Sequence, residues 1–189
     1  MPIPPSLEDI ELPEGYIFEE DSISVGNPGS MMTLNIGLDI HSFADYDREF
    51  NGILSQYLKD NPNIRLVDVG GGYLPLAVQE MMQKFPGISA TNIDLLVDDG
   101  PISKRGDAAD LPLEDGSVDA LVSFRSIAYY FTSRLSKAQK IADEFQRVLK
   151  PGSHIFISPG VDLSIWSERL KAIPGMYGKR TYGKVYQKT

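Results

Sequence analysis

The chain has 189 residues, a length that suits one domain with a sizeable buried core. It is 42% hydrophobic and 23% charged, as soluble globular proteins are, and has no cysteine, which excludes disulfides, thiolate chemistry and cysteine-ligated zinc. The formal net charge of −8 argues against DNA or RNA as a partner, because phosphate contacts call for a basic face. No run of about 18 apolar residues predicts a membrane span. Met1 to Ser6 lacks a basic cluster followed by an apolar stretch, so no secretory signal is expected and the expected location is cytoplasmic. No metal-binding set is read from the sequence.

Residues 1–42 are acidic and rich in proline and glycine, and read as an N-terminal arm or cap. Residues 43–189 read as the main domain. Tyr46, Phe50, Ile53, Leu54, Tyr57 and Leu58 recur at helical spacing, which predicts one amphipathic helix from Asp45 to Lys59. Asn61-Pro62-Asn63 stops it, and Ile64 to Val69 reads as a strand. Three glycines follow, Gly70 to Gly72, and then a helix opened by Pro75 with Ala77, Val78, Met81, Met82 and Phe85 on its apolar face.

Ile88 to Ile93 is the next predicted strand, ending at Asp94, and a short strand is expected near Ile102 to Arg105. Val118 to Phe124 is apolar enough for a buried strand. Leu135 to Leu149 carries the clearest helical pattern, ended by Lys150-Pro151-Gly152, and His154 to Ser158 is another strand. A helix from about Ser164 to Ile173 and a closing β-hairpin from Met176 to Lys188 complete the reading. The basic tail from Lys171 onward (Lys171, Lys179, Arg180, Lys184, Lys188) reads as a solvated hairpin.

Strands alternating with helices predict a doubly wound, mainly parallel α/β sheet of Rossmann-like type, with an antiparallel C-terminal hairpin strand. Ligands of such sheets bind at the carboxyl ends of the strands, near the point where strand order reverses. Three groups of residues fall there. Asp68 precedes Gly70, Gly71 and Gly72, a strand running through glycines into a helix. Glycines allow close backbone approach, and free N–H groups favour negative charge. On their own they equally suit a tight turn. Asp94 lies about 20 residues beyond that loop, the placement of a ribose-binding carboxylate. Asp107 sits in Gly106-Asp107-Ala108-Ala109-Asp110-Leu111-Pro112, at the end of the third strand.

These motifs, with Asp115-Gly116-Ser117-Val118-Asp119 before the fourth strand and Leu149-Lys150-Pro151-Gly152 before the fifth, resemble the class I S-adenosylmethionine-dependent methyltransferase family, type 11-like members in particular. The resemblance covers roughly Asp45 to Lys188. It implies S-adenosylmethionine as cofactor. Gly70 to Gly72 would face its methionine part, Asp68 its ammonium and Asp94 its ribose; Asp107, with the Ala108 backbone beside it, would face its adenine. A nicotinamide-type Gly-x-Gly-x-x-Gly pattern would place Pro75 at the third glycine and leaves Asp68 and Asp107 without a role.

The chain departs from the family at two places. Leu74 stands where a third glycine is common, so the loop must turn differently or hold the cofactor less closely. The stretch between Asp94 and Asp107 is short and contains Gly100-Pro101, so the helix usual there is expected to be shortened or missing.

Catalytic candidates are Arg125, for a substrate carboxylate or phosphate or else a surface ion pair; Tyr129 and Tyr130, as pocket wall or packing; and His41, as a base. His154 reads as structural. Ser123-Phe124-Arg125-Ser126 stands where amine- and amide-methylating members carry Asn/Asp-Pro-Pro-Tyr, which disfavours nucleic-acid-base and protein-glutamine acceptors. The expected activity is methyl transfer to a small, anionic molecule; the alternative is a catalytically silent binding or scaffold protein.

Overall fold

The computed structural model describes the backbone of residues 16–19, 22–25 and 32–35, and residues 42–72, 74–95, 97–127, 135–158, 160, 162–173 and 183–189. The chain divides into two compact units, Met1–Ile40 and His41–Thr189. In the first, β1 (Tyr16–Glu19), β2 (Ser22–Val25) and β3 (Met32–Asn35) pair in order as an antiparallel sheet.

The second unit is built on a seven-stranded sheet. Its strands are β4 (Arg65–Val69), β5 (Ser89–Asp94), β6 (Ser103–Arg105), β7 (Val118–Phe124), β8 (Leu149–Ser158), β9 (Leu170–Ala172) and β10 (Lys184–Lys188). The order across the sheet is β6-β5-β4-β7-β8-β10-β9. Neighbours from β6 to β8 are parallel, and β10 runs antiparallel between β8 and β9. The doubly wound sheet expected from the sequence is therefore present, and strand order reverses between β4 and β7.

Alternation along each strand divides the core into two layers. Val67, Val69, Leu121, Ile155, Ile157 and Tyr186 pack with Ala138, Ile141, Ala142 and Phe145 of α4 (Leu135–Val148). Leu66, Ala120, Val122, Phe124, Phe156 and Val185 face the opposite layer, formed by α1 (Phe43–Glu49), α2 (Ile53–Asp60) and α3 (Leu76–Lys84). Asp68 shares its face with Leu66 and so points toward α1.

Two expected elements are corrected. The single helix predicted over Asp45 to Lys59 is two helices, broken where Asn51 (φ 54°) and Gly52 (φ 76°) adopt left-handed conformations in succession. The Gly52 N–H donates to the Asp47 carbonyl at 2.8 Å and the Asn51 N–H to that of Arg48 at 3.2 Å, a Schellman ending that closes α1. A capping box between Ser42 and Asp45 opens it. The helix predicted from Ser164 to Ile173 is instead a short 3-10 turn, Leu163–Ile165, followed by β9. Pairing with β10 outweighs the local helical pattern there, and Leu163 and Leu170 are both fully buried. Much of the predicted hairpin, residues 174–182, lies outside the described residues. Between β5 and β6 no helix occurs among the described residues.

Candidate functional site

The loop after β4 is shaped by its glycines. Gly70 (φ 78°) and Gly72 (φ 81°) are left-handed, a region open to glycine but strained for other residues. The Gly70 N–H donates to the Ile93 carbonyl at 2.7 Å. Gly71 has no room for a side chain: a Cβ there would press on the Asp68 carboxylate and lie 2.6 Å from Asn92 Oδ1. At Gly70 it would meet the Ser126 hydroxyl. Ser126 and Ser123 both donate to the Val69 carbonyl at 2.9 Å, which fixes the end of β4 against the end of β7.

Beneath the loop lies a buried polar pair. Asp68 and Asn92 are register partners in β4 and β5, so their side chains share one face, and both are at most 1% exposed. Asp68 Oδ2 accepts from the Tyr46 hydroxyl of α1 at 2.8 Å. Asp68 Oδ1 and Asn92 Oδ1 are buried with no hydrogen-bond partner among the described residues. Burial pushes the Asp68 carboxyl up to about 7; the Tyr46 hydrogen bond opposes that rise and the nearby Asp94 charge adds to it. Burial and the Asp68 charge push the Tyr46 phenol well above its ordinary value, so it remains a donor.

Asp94 and Asp107 close the ends of β5 and β6. Asp94 Oδ2 accepts from the Gly72 N–H at 3.0 Å, and the Asp94 carbonyl accepts from Gly106 N–H at 3.0 Å. Asp107 Oδ1 accepts from the Ala109 N–H at 2.9 Å, and its Oδ2 meets the Lys137 ammonium of α4 at 2.7 Å. Ala108 lies in this turn, partly buried against the α4 side of the core.

Arg125 follows β7. It is exposed, adopts φ 53°, and its backbone N–H donates to the Ser158 carbonyl at 2.6 Å. Its guanidinium lies 5.1 Å from the centre of the Phe124 ring, and no carboxylate pairs with it among the described residues. His41, Tyr129 and Tyr130 lie outside the described residues. His154 is half-buried in β8 with its ring 4.9 Å from that of Tyr57, and burial lowers its pKa, as suits a packing role.

Comparison with known proteins agrees with this geometry. Residues 52–157, more than half the chain, match the family described as Methyltransferase domain. The chain belongs to the methyltransferase domain family. Among curated proteins no relative matches the sequence. Solved structures resemble it in fold. An S-adenosylmethionine-dependent methyltransferase from Aquifex aeolicus is 11% identical, with a TM-score of 0.52 over 79% of this chain and 100% of that one. A Pyrococcus horikoshii protein is 16% identical, with a TM-score of 0.53 over 80% and 94%. A Methanosarcina mazei S-adenosylmethionine-dependent methyltransferase is 22% identical, with a TM-score of 0.45 over 62% of each chain. Two other matched structures are longer: the chain spans 45% and 43% of their lengths.

As a methyltransferase domain, the chain has S-adenosylmethionine as its cofactor. The residues present fit that group. The loop offers backbone where a Cβ cannot be placed, and an orphaned, buried carboxylate oxygen lies beneath it. Asp68, Gly70 to Gly72, Asp94 and Asp107 all fall at the carboxyl ends of β4, β5 and β6. Sequence reading missed Tyr46, Asn92, Ser126 and Lys137. By spacing alone, Tyr46 is one apolar residue of a helix face. Asn92 carries a signal that was available: an amide inside a buried strand must be satisfied by something.

Proposed function

We propose that this domain transfers a methyl group from S-adenosylmethionine to a small acceptor that carries a negative charge. The observation supporting this reading is convergence: the glycine loop and the strand-end carboxylates meet at one end of the sheet, with the exposed Arg125 guanidinium following the neighbouring strand. Gly70 to Gly72 would face the methionine part and Asp68 the ammonium. Asp94 would hold the ribose hydroxyls, and Asp107 the adenine amino group with the Ala108 backbone beside it. The bound cofactor supplies a methyl already activated on a sulfonium. The chain then has to hold the acceptor in line and exclude water.

Arg125 is the group proposed to pair with the acceptor's carboxylate or phosphate, since a planar guanidinium suits both. His41 is the proposed base where the acceptor must lose a proton, and Tyr129 the proposed pocket wall. The net charge of −8 favours a small molecule over a nucleic acid, and a cytoplasmic setting is part of the same reading.

The test is transfer of labelled methyl to a panel of small carboxylates and phosphates. Arg125→Gln is expected to raise KM for the anionic acceptor about tenfold while cofactor affinity stays unchanged. Transfer to uncharged acceptors only, or an unchanged KM, contradicts the assignment. A second reading, a catalytically silent binding or scaffold protein, draws support from Asp107, both of whose oxygens are already engaged. It predicts a protein that methylates no acceptor.

A further inference from the structure

We propose that Asn92 is a positioning residue for the cofactor: its side chain fixes Gly72, and with it the part of the loop that faces the methionine end of S-adenosylmethionine. The inference rests on the cofactor reading given above. Asn92 is 0% exposed, in the middle of β5. Its Nδ2 donates to the Gly72 carbonyl at 2.8 Å. Two residues further along the same strand, Asp94 accepts the Gly72 N–H at 3.0 Å. Both backbone groups of this left-handed glycine are thus held by side chains of one strand.

The clamp has a physical reason in the loop itself. With Leu74 in place of a third glycine, the left-handed turns among the described residues of this loop are at Gly70 and Gly72. The helix beyond begins only at Leu76, and its cap, Pro75, makes no side-chain capping bond. The described side-chain bonds to the Gly72 backbone both come from β5. The fold alone does not require an amide at position 92. An apolar residue would leave no orphaned oxygen, whereas Asn92 leaves Oδ1 buried and without a partner among the described residues. Its one described side-chain hydrogen bond goes to the loop.

The experiment compares Asn92→Ala and Asn92→Val with the unaltered protein. Calorimetric affinities are measured for S-adenosylmethionine and for adenosine, and hydrogen exchange is measured at the Gly72 amide without ligand. Both variants are expected to weaken S-adenosylmethionine about tenfold, the scale of one lost hydrogen bond, and to change adenosine affinity by less than about twofold. Gly72 exchange is expected to quicken while the central strand amides stay protected. Equal weakening of both ligands, unchanged affinity for both, or unaltered Gly72 exchange in a folded variant overturns the role. Should Asn92→Ala not fold, Asn92→Val, which refills the space, decides by the same measurements. Failure of the unaltered protein to bind S-adenosylmethionine removes the cofactor reading itself, an outcome distinct from a variant that binds normally.

Discussion

Asp68 is a carboxyl that folding shifts strongly. Folding raises it from 3.8 to about 7, chiefly through burial. Between those values the folded protein keeps a proton that the unfolded chain has released, so rising pH favours unfolding. This group's contribution is fully present below about pH 4, is lost progressively toward pH 7, and is constant above that. Three pH units correspond to roughly 4 kcal/mol at most. Thermal melts from acid to neutral pH should show Asp68→Asn with a shallower loss of stability than the unaltered protein. Parallel curves would show that Asp68 ionises as easily folded as unfolded. Asp94 was legible in the sequence because it ends a strand, and Asp68 and Asp107 because they lie beside the glycine loop and in the Gly106-Asp107-Ala108 stretch. The groups that complete the site were not, because α1 brings in Tyr46 and α4 brings in Lys137, from distant parts of the chain.

At the scale of elements, β4 and β7 were legible because they are short, largely apolar runs bounded by turn residues. The α1–α2 break was not, because the apolar spacing continues through it while the backbone reverses at Asn51 and Gly52. The Asn-Gly pair was the available signal. β9 was misread because its three residues owe their form to β10 and not to their own pattern. Turns of similar φ can separate backbone strain from crowding. A Cβ at Gly52 (φ 76°) meets nothing within 4 Å, whereas one at Gly70 (φ 78°) meets Ser126. Gly52→Ala should therefore cost about 1 kcal/mol, or roughly 2–4 °C in melting temperature. Gly70→Ala should cost more by about 1–3 kcal/mol, because the bonded Ser126 must yield. Equal melting temperatures for the two variants would show that Ser126 moves freely.

At the scale of the molecule, strand order places the whole site. β4 lies between β5 and β7, so the glycine loop sits beside the reversal of strand order, and Asp94, Asp107 and Arg125 follow from neighbouring strands. The acidic balance of the chain suits a cationic ligand, while Arg125 presents an exposed positive group after β7. This end of the sheet is proposed to bind S-adenosylmethionine through Asp94. The most direct test is titration calorimetry of the unaltered protein and of Asp94→Ala with S-adenosylmethionine, each shown to be folded. The structure predicts micromolar binding by the first and a loss of at least about tenfold in the second. Equal affinity in the two, or no binding by the folded unaltered protein, would contradict it.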